Sequence, residues 1–124
     1  MFDHVSLAVT DIPRAQRFYD AVLGTLGIPR VWVEERAIGY GPRDTGSAYL
    51  TLRLGAPSSP ACHWCFRAAT RDAVQAFHAE GVARGGKDDG APGPRPHYGE
   101  TYYAAFLLDP DGNRIEAVCR AAPA

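Results

Sequence analysis

The chain has 124 residues, of which 46% are hydrophobic and 22% charged, and its formal net charge is −1 at pH 7. That size and apolar content suit one compact domain, and so small a net charge supplies no basic field for a phosphate backbone, so no nucleic-acid partner is expected. No apolar run approaches the ~20 residues that span a bilayer, and Met1-Phe2-Asp3-His4 lacks the basic and apolar regions of a signal peptide, which predicts a soluble cytoplasmic protein without a membrane partner.

An alternating apolar run over 2–9 reads as the first strand. A helix follows, with Asp11 as its cap, Pro13 in its first turn, and Ala15, Phe18, Tyr19, Val22, Leu23 and Leu26 recurring every three or four residues until Gly27 stops it. Three short β-like runs come next, 28–35, 37–40 and 48–54, broken by turn-rich pieces such as Gly41-Pro42-Arg43-Asp44. Residues 55–60 form a connector. A strand over 61–68 leads to a second helix capped by Thr70, with Val74, Phe77, His78 and Val82 as its buried stripe and Gly85-Gly86 as its stop; His78 is read as structural. A weak strand near Lys87, a glycine- and proline-rich loop over 88–99, and strands over 102–108 and 114–119 complete the chain. Asp109-Pro110-Asp111-Gly112 makes the tight turn between the last two.

The order is strand, helix, three strands, and then the same again. Sliding the sequence so that His4 falls on His63, an offset of 59, also lays Gln16 on Gln75, Phe18 on Phe77 and Gly27 on Gly86. The chain therefore reads as an α+β domain of two βαβββ modules, about 1–56 and 60–121.

Three cysteines, an odd number, argue against a disulfide framework. Cys62 and Cys65 flank His63-Trp64 in a strand, where three steps separate the Cα atoms by roughly 10 Å, too far for a disulfide, which needs under about 7 Å. Both, and Cys119, are expected to be small buried thiols.

Strand alternation sends Val5, Leu7 and Val9 toward the helix and His4 to the other face. The same count turns His63, Cys65 and Arg67 away from the second helix, at the equivalent place in the repeat. In the last strand Ile115 and Ala117 take the helix side, leaving Arg114, Glu116 and Val118 to face the two histidines if the modules pair into one curved sheet. Two neutral imidazoles and a carboxylate suit one divalent ion with open coordination positions, and Fe, Mn, Ni and Zn all accept this set. His97, Tyr98, Glu100, Tyr102 and Tyr103 form a polar and aromatic cluster after the second helix. From it, His97 and Tyr103 are candidates for proton transfer, and Tyr98 and Tyr102 for substrate contact. Arg67 and Arg114 could neutralise an anionic substrate.

The segments Asp3-His4-Val5-Ser6-Leu7-Ala8-Val9, His63-Trp64-Cys65-Phe66 and Leu108-Asp109-Pro110-Asp111-Gly112-Asn113-Arg114-Ile115-Glu116-Ala117 resemble the vicinal oxygen chelate superfamily. This superfamily includes glyoxalase I, extradiol dioxygenases, fosfomycin-resistance thiol transferases and bleomycin-resistance proteins. The resemblance implies an open eight-stranded barrel-like sheet around a metal, a helix outside each module, and a homodimer. Glyoxalase I carries a fourth ligand, a Glu, on the fourth strand of its first module, and residues 49–55 here contain no carboxylate. The set of His4, His63 and Glu116 is more similar to the thiol transferases and dioxygenases.

The resulting expectation is a metalloenzyme acting on a small oxygenated substrate by bidentate chelation, as a lyase, isomerase, thiol transferase or ring-cleaving dioxygenase. The competing reading is a metal-free binding protein that sequesters an aromatic or drug-like molecule between Trp32, Tyr40, Tyr103 and the barrel wall. A third is an accessory domain with a vestigial site.

Overall fold

A computed structural model describes residues 1–42, 46–57, 59 and 61–123. Arg43 and Asp44 of the expected turn, and Pro60 at the start of the second module, lie outside the described residues. The chain runs β1 (His4–Val9), α1 (Ile12–Gly24), β2 (Arg30–Val33), β3 (Ala37–Tyr40), β4 (Tyr49–Leu54), β5 (His63–Arg67), α2 (Arg71–Ala83), β6 (Lys87–Pro94), β7 (Tyr103–Leu108) and β8 (Arg114–Cys119). This is βαβββ twice. Each module forms one mixed sheet, in the orders β1-β4-β3-β2 and β5-β8-β7-β6, and in each the first strand runs parallel to the last.

The helices begin where their caps dictate. The Asp11 carboxylate accepts from Arg14 N at 2.9 Å, and Thr70 Oγ1 accepts from Ala73 N at 3.0 Å, each satisfying an amide that the first turn leaves without a partner. On α1, Phe18, Tyr19, Val22 and Leu23 are all fully buried, each side chain contributing about 1.5–3 kcal/mol to stability. On α2 the buried stripe is Val74, Phe77 and Gly81, and the expected Val82 is instead 47% exposed. Close approach explains the difference: a Cβ at Gly81 would lie 2.3 Å from Leu107 Cδ1, so the bare glycine is what lets α2 seat on β7.

The two helices pack on each other as well as on their own sheets. One core therefore runs from Leu7, Val9 and Phe18 through to Phe77, Leu107 and Ile115, and the sheet faces opposite the helices turn outward. Within one chain the sheets stay separate: β1 pairs with β4, β5 pairs with β8, and the described residues provide no strand bridging these two edges.

A buried polar knot ties the modules together. Asp109 is 3% exposed and accepts from the Tyr19 hydroxyl at 2.6 Å, from the backbone N of Asp111 and Asn113, and from Asn113 Nδ2. Asn113 Nδ2 also donates to the Ala8 carbonyl at 2.8 Å, and Arg14 pairs with Asp111 at 2.7 Å. The Asp-Pro-Asp-Gly turn is thus both a hairpin and the clasp between β1, α1 and the second sheet.

The glycine- and proline-rich segment expected to be a loop from 88 is strand as far as Pro94. As an edge strand β6 pairs only with β7, and it shifts register around Gly90. A proline on a free edge need not donate to the ladder, so composition there does not prevent a strand. The cysteines are all free, but only Cys119 is buried; Cys62, which precedes β5, and Cys65, on the face of β5 opposite α2, are exposed.

Candidate metal centre

In the second sheet Cys65 lies opposite Glu116 and His63 opposite Arg114, while Phe106 lies opposite Glu116 from β7. Alternation puts these residues on the face away from α2, and carries the same face on to Tyr102 and Arg120 just beyond the strand ends. His63, Tyr98, Tyr102, Phe106, Arg114, Glu116 and Arg120 line a cleft of about 610 Å³ on that face.

Glu116 is the centre of it. The side chain is 3% exposed, its Oε2 accepts from the Tyr102 hydroxyl at 2.5 Å, and its Oε1 is 3.5 Å from His63 Nε2. A carboxylate offers about four acceptor sites, and one phenol, one long imidazole contact and the neighbouring Cys65 thiol bring it no fixed positive charge, so the buried negative charge stays under-compensated. The donor chemistry fits a divalent cation, with His63 as a neutral nitrogen ligand. Burial, followed by the bond to Glu116, holds the Tyr102 proton well above the ordinary phenol range. Although Cys65 as a residue is exposed, its Sγ sits against the same carboxylate, and the thiol is pushed up to about 12, first by desolvation there and then by the Glu116 charge.

His4 is on β1 of the other sheet. Its Nδ1 is 2.8 Å from Asp3 Oδ1 and its ring stacks on Tyr49 with centroids 5.1 Å apart. A carboxylate only accepts, so Nδ1 is the donor of this contact and Nε2 is the ring nitrogen left for another partner, the orientation a second partner gives to a ligating histidine. Among the described residues no three His, Cys, Asp or Glu side chains converge on one point. One copy therefore brings together His63 and Glu116, without His4.

The other predicted residues divide. Tyr98, 59% exposed, stands at the mouth with His97 against it, ring centroids 4.1 Å apart. Arg114 lines the cleft but is paired with Asp89 at 2.9 Å. Arg67 is exposed outside the cleft. Tyr103 is a correction: it is buried on the α2 side, where Gln75 Nε2 donates to its hydroxyl at 2.9 Å and Arg71 covers its ring. Neighbouring residues in a strand face opposite ways, so Tyr102 and Tyr103 cannot share a cleft. The sequence reading missed Arg120 and took Cys65 as structural; counting in twos from Glu116 and from His63 reaches both.

A second cavity of about 570 Å³ lies between the modules, lined by Phe2, Val5, Leu23, Ile28, Trp64 and Phe66 among others. Tyr40 borders it, but its hydroxyl donates to Asp20 at 2.8 Å. Trp32 and Tyr103 are not part of its lining, and the indole instead covers Gly39, where a Cβ would lie 2.2 Å from Nε1.

The geometry has close parallels among solved structures. A glyoxalase/bleomycin resistance protein from Albidiferax ferrireducens T118 is 34% identical, with a TM-score of 0.85 over 96% of this chain and 98% of its own. A glyoxalase/bleomycin resistance protein/dioxygenase family enzyme from Burkholderia phytofirmans PsJN (21% identity, TM-score 0.73, 96% and 98% covered) shares the fold. So does the fosfomycin resistance protein FosX from Mesorhizobium loti (17% identity, TM-score 0.68, 96% and 91% covered). Among curated proteins there is no match. Residues 1–117 match the family profile of this fold, and with the paired βαβββ modules and the 34% identical relative they establish that the chain belongs to the glyoxalase/bleomycin resistance protein/dioxygenase superfamily.

Proposed function

We propose that this protein is a divalent-metal-dependent enzyme acting on a small oxygenated substrate, and that two copies build each site. His63 and Glu116 come from one copy and His4 from the other. The observation that carries this reading is the buried Glu116 carboxylate on the cleft floor, 3.5 Å from His63 Nε2 and bonded by one phenol. When bound, the ion would supply Lewis acidity, gathering two neighbouring substrate oxygens and stabilising the negative charge that develops on them.

The chain's own residues have separate tasks. Tyr102 fixes the Glu116 carboxylate through Oε2, leaving Oε1 toward His63. The raised proton affinity of Tyr102 suits it to hold that hydrogen bond and not to act as a base. Phe106 and Tyr98 wall the cleft, and His97, whose ring contacts Tyr98, is kept as the candidate for proton transfer. The edges support a homodimer: β1 and β5 each present an outer side with no described strand beside it, and joining β1 of one copy to β5 of the other would complete the open eight-stranded barrel and present His4 to the cleft.

The apolar cavity between the modules favours a second reading, sequestration of an apolar small molecule without metal. Metal titration followed by elemental analysis separates the two. One equivalent per chain in the wild type, lost in His4→Ala, His63→Ala and Glu116→Ala, supports the enzyme. An apolar ligand held equally well in chelator, with no specific metal uptake, supports sequestration.

A further inference from the structure

Building on that reading of the cleft, we infer that Arg120 selects substrates carrying an anionic oxygen group, a carboxylate or a phosphonate, remote from the oxygens that meet the metal. Three side chains that can carry positive charge line the cleft: His63, Arg114 and Arg120. His63 faces Glu116 and Arg114 is committed to Asp89. The Arg120 guanidinium has no carboxylate partner among the described residues, and its contact is the face of Tyr102, with Cζ 4.8 Å from the ring centroid.

That contact orients it. Tyr102 is pinned through its hydroxyl to Glu116 and Tyr98 abuts its ring at 5.4 Å, so the platform beneath Arg120 is held at two points. A guanidinium stacked on an aromatic face keeps its N–H edges available, and a fork of N–H donors matches the paired oxygens of a carboxylate or phosphonate. Among the described residues Glu116 is the one acidic side chain in the cleft lining, and Tyr102, which donates to Glu116 and carries Arg120 on its ring face, stands between the two. An anion on the Arg120 edge away from Tyr102 therefore has that ring between it and the Glu116 carboxylate, while the far end of the same small molecule would extend toward the metal ligands.

The test is an NMR titration of the full chain at constant ionic strength, with methylphosphonate, acetate and the uncharged acetamide as separate probes, each with and without Zn²⁺. Saturable shifts at the Arg120 Nε–H with an anion and not with acetamide are expected. Binding should weaken about tenfold or more in Arg120→Gln, be partly restored in Arg120→Lys, and persist in Glu116→Gln. A preference for methylphosphonate or for acetate identifies which anion the fork fits. Equal anion binding by wild type and Arg120→Gln, or no saturable binding by wild type in either condition, overturns the inference. Failure of the metal reading is separate, because it appears as absent Zn²⁺ uptake by the wild type while the anion titration still depends on Arg120.

Discussion

If each site takes His4 from one copy and His63 with Glu116 from the other, two defective chains should repair one another. A homodimer of His4→Ala chains lacks the β1 ligand in both sites, and a homodimer of His63→Ala chains lacks the β5 ligand in both. In a mixed dimer the His63 and Glu116 of the His4→Ala chain meet the intact His4 of the His63→Ala chain, while the other site loses both histidines. Twofold symmetry gives two sites per dimer, so the purified mixed dimer should hold about half of the wild-type metal. Random mixing of equal amounts, in which about half of the dimers are mixed, should give about a quarter. The assay is coexpression with two different affinity tags, sequential capture of the mixed dimer, and metal-to-protein ratio by elemental analysis. The basis is structural: His63 and Glu116 are 3.5 Å apart in one chain, whereas His4 stands on the other sheet beside Asp3 and Tyr49. A mixed dimer that forms and binds no metal, beside a wild type that does, would show that the third ligand is not contributed in this way.

Tyr102→Phe removes the hydroxyl that donates to Glu116 at 2.5 Å, and loss of a hydrogen-bond partner behind a ligand should weaken metal binding about 10–100-fold; unchanged affinity in competition with a chelator would show that Tyr102 does not orient the carboxylate. Gly86→Ala would place a Cβ 2.7 Å from Phe18 Cε2, 2.8 Å from the Leu108 carbonyl and 2.9 Å from the Gly81 carbonyl. Backbone oxygens cannot turn aside as a side chain does, so a loss of about 1–3 kcal/mol is expected in urea unfolding, and a wild-type midpoint would count against this packing. Tyr40 is raised above the ordinary phenol range, by burial first and then by its hydrogen bond to Asp20. The folded chain therefore keeps a proton that the unfolded chain releases above pH about 10, and stability falls as pH rises past that point. Tyr40→Phe should flatten this alkaline limb of the urea midpoint against pH, and an equally steep limb would remove Tyr40 as its source.

The elements were legible in the sequence because their signals are local. The Asp11 and Thr70 caps and the alternation of β1, β5 and β8 each depend on a few neighbouring residues, and the structure has them where the pattern puts them. Errors came where a distant contact decided the outcome. Gly81, not Val82, faces the core because of Leu107 on β7, and residues 88–94 are strand because β7 offers a free edge. The failure at Tyr103 was different, since alternation from Phe106 separates it from Tyr102 and no tertiary knowledge was needed.

The candidate site shows the limit of internal repetition most clearly. Equivalence of His4 and His63 in the repeat guarantees equivalent places on two sheets, and both do stand on outward faces with Nε2 available for a ligand or already near a carboxylate. It does not guarantee that the two faces belong to one cleft. That is decided by tertiary packing: α1 packs on α2 inside the chain, the two sheets share no strand pair, and among the described residues His4 does not converge with His63 and Glu116. On the proposed reading, closing a barrel around a metal would take edges from another copy, and the helix stripes that make the single chain fold would then also make its site depend on a dimer. Weakening the α1–α2 contact should consequently loosen metal binding as well as stability, whereas a change confined to the outer face of either sheet should affect metal binding alone.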